Sequence, residues 1–225
     1  MSTHDPHTLK SFEDALSALR ADVLMMFSLT RQNLDRALKG LFEGDAELCK
    51  AVIADDEEID QLEKEIDARG IEILMRYQPL AVDLRRVVSA IKVNGALERI
   101  ADKAASIARK ARKLQGGPRV PEIDWLRPLT EMAMGIFHQS ATAFETGDVE
   151  LARTIKAKDR EIDVEYAGLS ERFVAGMGRG GEAAATLLNM VFIGRHLERI
   201  GDYSTNIAED VVFSESAEDI HHRGD

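Results

Sequence analysis

The chain has 225 residues with 29 Lys and Arg against 40 Asp and Glu, a formal charge of -11, which argues against wrapping nucleic acid or clinging to anionic lipid through bulk electrostatics. It is 44% hydrophobic but only 5% aromatic and has five prolines, a mixture that favours long helices over strands. The single cysteine, Cys49, excludes an intramolecular disulfide and a multi-thiolate metal site, and fits a reducing compartment.

In chain order, Phe12, Leu16, Leu19, Val23 and Met26 recur at three- and four-residue steps and predict a first long helix ending near Gly40 to Gly44. The start MSTHDPHTLKSFEDALSALR lacks a basic region followed by an apolar run, so no signal peptide is expected. Asp45 is placed to cap a second helix, whose stripe of Leu48, Val52, Ile59, Leu62, Ile66 and Ile73 runs to a break at Gln78-Pro79. A third helix from about Leu80 carries Leu84, Val87, Ile91, Leu97, Ile100 and Ile107, and stops at Gly116-Gly117-Pro118, where a linker to about Pro121 begins.

Trp125, Leu126, Leu129, Met132, Ile136 and Phe137 open a fourth helix, and Thr146-Gly147-Asp148 ends it and caps a fifth. The turn GMGRGG, Gly176 to Gly181, leads to a sixth, and the tail SESAEDIHHRGD is polar and expected to fray. The longest nearly apolar run, AAATLLNMVFIG from Ala183, falls well short of the roughly twenty residues that span a bilayer. The expectation is a soluble, cytoplasmic protein without direct membrane insertion.

The six helices repeat as three plus three. LERIADKAASIAR, from Leu97 to Arg109, matches LERIGDYSTNIAE, from Leu197 to Glu209, and FEGDAELCKAVIADDEEID from Phe42 matches FETGDVELARTIKAKDREID from Phe144. Short connections imply antiparallel neighbours. The expected fold is therefore all-α: two tandem, sequence-related antiparallel three-helix bundles, residues 1–117 and 118–225, the second with the polar tail.

Each copy carries acids four residues apart, Asp56 with Asp60 and Glu98 with Asp102, then Asp159 with Asp163 and Glu198 with Asp202. That spacing stacks like charges on one helix face, which is unfavourable unless something positive compensates. In the first copy the two pairs lie equally far from Pro79, and in the second equally far from Gly180-Gly181, so antiparallel hairpins bring each set of four to one height. Two readings follow: ion pairs with Arg85, Arg86, Arg99, Arg195 or Arg199, or cations such as Mg, Mn, Fe or Zn held by oxygen ligands, with a multinuclear cluster plausible.

A ferritin-like di-iron enzyme is a minor reading, because Ala101 and Gly201 stand where its Glu-x-x-His motif needs histidine, and Glu218-x-x-His221 lies in the tail. His138 and His196 read as packed or surface residues, Cys49 as a small packed residue, and GMGRGG lacks the strand and Gly-Lys-Ser/Thr of a nucleotide loop.

The paired LERI(A/G)D segments, QPLAVDLR from Gln78 and RHLERIGDYSTNIAEDVVF from Arg195 resemble the PhoU family of bacterial phosphate-signalling proteins over almost the whole chain. The resemblance implies a non-enzymatic cytoplasmic regulator that represses the phosphate-starvation response when phosphate is plentiful. It implies a homodimer that links the ATP-binding subunit of the phosphate ABC transporter to a sensor histidine kinase. It also implies that the eight acids named above match the family's metal-binding positions. An accessory protein of another phosphate permease is the alternative. The second copy has no counterpart of Gln78-Pro79 or Asp83-Leu84-Arg85.

Overall fold

The computed structural model describes residues 6–115, 120–179 and 181–220. The expected linker residues Gly116, Gly117 and Pro118, the boundary between 117 and 118, Gly180 of the expected turn, and His221 lie outside them. Six long helices are found: α1 Pro6–Glu43, α2 Ala46–Tyr77, α3 Ala81–Leu114, α4 Arg127–Thr146, α5 Val149–Gly176 and α6 Gly181–Ser216. Among the described residues there is no strand.

Each short connection has a local cause. Gly44 takes φ +72°, and Asp45 Oδ1 accepts the backbone N–H groups of Glu47 and Leu48, so α1 stops and α2 starts within two residues. Gln78 closes α2 in the left-handed conformation before Pro79. Gly147, at φ +69°, and Asp148, whose Oδ1 accepts Leu151 N–H at 2.9 Å, repeat the first device between α4 and α5. Asp148→Ala is expected to cost about 1 kcal/mol of stability, read from the urea midpoint at constant m-value.

Two expectations need correction. Trp125 and Leu126 do not open α4 but end a 3-10 turn, Pro121–Leu126, that runs into it, with Pro121 at its first position. The tail does not fray through Ile220: Arg153 meets Glu218 at 2.7 Å, Lys156 Nζ donates to the Ile220 carbonyl at 3.1 Å, and Ile220 is buried. Two basic side chains of α5 thus hold this segment where composition alone suggested a free polar end.

The α1–α3 and α4–α6 hairpins each form an antiparallel bundle, and α3 and α6 pack on one another between them. Arg85 donates to the Ser214 carbonyl, Ser89 to the Asp210 carbonyl, and Lys110 lies 4.2 Å from the Phe192 ring centroid. Numbers rise along α3 as they fall along α6, so the two helices are antiparallel, and carrying that register to the middle sets Ile100 opposite Ile200. Both are fully buried. The duplicated motifs therefore cross at the centre of the molecule, about a pseudo-twofold axis. The apolar residues of both bundles form one continuous core, to which Phe27 of α1 contributes beside Phe137 and Phe144 of α4.

Candidate metal centre

The turn arithmetic brings the acids of each hairpin to one level, and the second bundle closes them tightest. One carboxylate oxygen each from Asp163 of α5 and from Glu198 and Asp202 of α6 lie within 4.8 Å of one another. Two oxygens bound to one hard cation at about 2.4 Å each are at most about 4.8 Å apart, so these three can share an ion. Asp159 stands one turn before Asp163 and feels the charges of Asp202, Asp163 and Glu198. The helices approach closely here: a Cβ on Gly201 would lie 2.9 Å from Ile162 Cδ1 and 3.0 Å from Asp159 Oδ1.

Electrostatics show the strain of this arrangement. Burial, then the neighbouring acids Asp202, Asp163 and Glu198, push the Asp159 carboxyl up to about 7. The Thr205 hydroxyl is close enough to ease that shift without forming a hydrogen bond of good geometry. Burial also raises Glu198 and Asp202, against the pull of Arg195 and Arg199. Arg195 Nη1 meets Glu198 Oε1 at 2.5 Å, and Arg199 Nη1 meets Asp202 Oδ2 at 2.8 Å. Yet Asp159 Oδ1, Glu198 Oε2 and Thr205 Oγ1 are buried without a hydrogen-bond partner. Buried oxygens of this kind are costly unless a proton or cation reaches them, and an all-oxygen set suits a hard or borderline ion.

In the first bundle Asp56, Asp60, Glu98 and Asp102 also share one neighbourhood. Burial raises Asp56 despite Arg109, with Asp102 and Asp60 adding to the rise, and burial followed by Asp102 raises Glu98. Among the described residues, however, no three of these acids place ligand atoms as close together as the second bundle does. Asp56 Oδ2 is bound by Arg109 at 2.9 Å, and Glu98 Oε2 lies 3.3 Å from Arg99. Arg85 and Arg86, weighed above as partners of the acids, reach the end of α6 instead, at Ser214 and Glu215.

Sequence reasoning missed Arg109, Thr205 and Glu63. Glu63 joins the first group, raised by burial and by Asp67, and it adds its charge to the surroundings of Glu98. A comparison of the two repeats where they differ, Arg109 with Glu209 and Ala105 with Thr205, carries the signal for the first two. His196 is packed and stays neutral: burial, then Lys103 and Lys110, lower it to about 4. His138 is lowered by burial as well, and Cys49 is buried with its thiol raised for the same reason.

Fold and site define a duplicated all-helical protein in which each of two packed three-helix bundles brings together a set of facing carboxylates, of which Glu198 is buried and Asp60 and Asp163 are exposed. The family model described as PhoU domain matches residues 23–111 and 126–211, and the chain belongs to the PhoU family. It is 34% identical over 217 residues to the phosphate-specific transport system accessory protein PhoU homolog of Zymomonas mobilis, covering 96% of this chain and 92% of that one. The homolog of the same name from Pseudomonas aeruginosa is 32% identical over 219 residues, covering 97% and 90%. The crystal structure of PhoU from Pseudomonas aeruginosa superposes with a TM-score of 0.89 at 32% identity, over 92% of this chain and 100% of that one. That of the phosphate transport system regulatory protein PhoU from Streptococcus pneumoniae gives 0.85 at 27% identity, over 93% and 99%.

Proposed function

We propose that this chain is a non-enzymatic regulator of phosphate uptake and of the phosphate-starvation response. It acts as a cytoplasmic adaptor between the ATP-binding subunit of a phosphate ABC transporter and a sensor histidine kinase, and works as a homodimer. The observation that carries this reading is the full-length match of both repeats to relatives named as accessory or regulatory proteins of phosphate transport. No described helix is long and apolar enough to cross a membrane, so the reading places the chain at the transporter through protein contacts. Exposed apolar side chains at the tip of the first hairpin, among them Met75 and Leu80 at 69% and 78% exposure, offer contact area for such partners.

Within this reading Asp56, Asp60, Glu98 and Asp102 serve one bundle and Asp159, Asp163, Glu198 and Asp202 the other as ligands for Fe, Mn, Mg or Zn, with more than one ion per site allowed by four carboxylates. Bound cations would relieve the like-charge repulsion and present positive charge on an acidic body, where phosphate or an anionic partner surface can be held.

Two measurements test the proposal. In cells lacking the chain, a phosphate-starvation reporter is expected to stay on in phosphate-rich medium and to be silenced when the chain is restored; a reporter indifferent to the chain removes the regulatory role. Elemental analysis of protein purified without chelators is expected to find stoichiometric metal that is lost in Asp102→Asn/Asp202→Asn at an unchanged helical spectrum. Metal-free wild-type protein would return the acids to ion pairing.

A further inference from the structure

The two acid groups descend from one repeated unit, yet their surroundings differ in charge. In the first bundle Arg109 of α3 reaches across to α2 and binds Asp56 at 2.9 Å. The equivalent position of α6 is Glu209, whose carboxylate meets Lys156 at 3.3 Å. Asp159, the counterpart of Asp56, therefore lacks the arginine its twin has, and it forms no ion pair among the described residues. Lys156, one turn before it, is turned toward Glu209 and the Ile220 carbonyl.

A second difference points the same way. Thr205, 6% exposed, stands where the first repeat has Ala105, and its hydroxyl oxygen faces Asp159 without a hydrogen-bond partner. The Glu198 side chain is 9% exposed and keeps Oε2 buried and without a hydrogen bond, whereas the Glu98 side chain is 21% exposed. The second repeat does carry one extra cation, Arg195 where the first has Gly95. That guanidinium is itself half exposed and engages Glu198 Oε1, and Arg199, like its counterpart Arg99, stays near its glutamate, 3.7 Å from Glu198 Oε2, while pairing with Asp202 at 2.8 Å. Of these carboxylate oxygens, Asp159 Oδ1 alone has neither an ion pair nor a hydrogen bond among the described residues.

We infer that the two sites are unequal: the Asp159, Asp163, Glu198 and Asp202 group of the second bundle is the tight divalent-cation site, while the first group carries a built-in counter-ion, Arg109, that a cation must displace. This rests on the reading of the acids as metal ligands made above. A buried carboxylate with no counter-charge gains most from an ion, and one already paired must surrender its partner first. The duplication then yields one site that stays filled and one that fills only at higher cation concentration, a graded response from a single ancestral unit.

The experiment is a Mn2+ titration of chelator-stripped full-length protein, counting free Mn2+ by electron paramagnetic resonance, with far-UV circular dichroism on each variant. Wild type is expected to bind in two classes separated by at least about tenfold in Kd. Asp159→Asn/Asp202→Asn should abolish the tight class, and Asp56→Asn/Asp102→Asn should leave it. Arg109→Ala, at a solvent-reachable position, should strengthen the weak class roughly fivefold without touching the tight one. If the sites fill with equal affinity, or the tight class follows Asp56 and Asp102, the inequality is overturned while the metal-ligand reading stands. If wild type binds no Mn2+, that reading falls and the inference with it.

Discussion

Asp159→Asn will stabilise the metal-free protein, and the gain will grow as the pH rises from about 4 to about 7. In the folded chain the Asp159 carboxyl is raised from 3.8 to about 7, by burial first and then by Asp202, Asp163 and Glu198. Between those two values the folded state holds a proton that the unfolded state has released, so stability falls with rising pH in that window. Below it both states are protonated and the cost vanishes; above it the full cost of a buried charge remains. Asparagine removes the titration and the repulsion together. The expected gain at pH 7.5 is on the order of 1–2 kcal/mol, less than a full conversion of the shift because solvent screens this half-buried group.

Urea denaturation with chelator present, at half-unit pH steps, measures this difference between wild type and variant. His196 opposes it in both proteins alike, since a histidine held neutral costs stability as pH falls from 6.5 through about 4, and it cancels in the comparison. Adding Mn2+ at pH 7.5 should reverse the order, stabilising the wild type more than the variant. A variant whose advantage is the same at pH 4.5 and pH 7.5 would show that Asp159 is not the group strained by ionisation.

Phe137→Ala is expected to cost about 3–5 kcal/mol, the range for deleting a fully buried aromatic ring. Phe137 is 1% exposed, and its ring lies 6.0 Å from that of Phe27, which in turn lies 5.5 Å from Phe144. These rings join α1 of one bundle to α4 of the other, inside a core that runs through both. The loss should therefore move a single unfolding transition for the whole chain. Two transitions, only one of them shifted, would mean the bundles unfold independently in spite of that shared core.

The repeated pattern of the sequence is enough to set the six helices, because apolar stripes at helical spacing and the turn residues Gly44-Asp45, Gln78-Pro79 and Gly147-Asp148 act locally. The convergence of acids was legible for a related reason: hairpin symmetry about a known turn fixes which residues of two antiparallel helices share a level. Cys49, read as a small packed residue, is buried, and His196, read as a packed or surface residue, is partly buried.

What stayed hidden depends on partners far apart in sequence. The pairing of Arg109 with Asp56, the docking of Glu218 and Ile220 on α5, and the antiparallel crossing of α3 on α6 all join residues more than fifty positions apart. The crossing is chosen by side-chain packing over a long shared interface, to which helical periodicity is blind. Helix period and turn chemistry thus dictate the bundles and the level of their acids. Long-range packing and the placement of single charges decide which carboxylates are left without a partner, because desolvation and Coulomb energy depend on distances that local pattern does not specify.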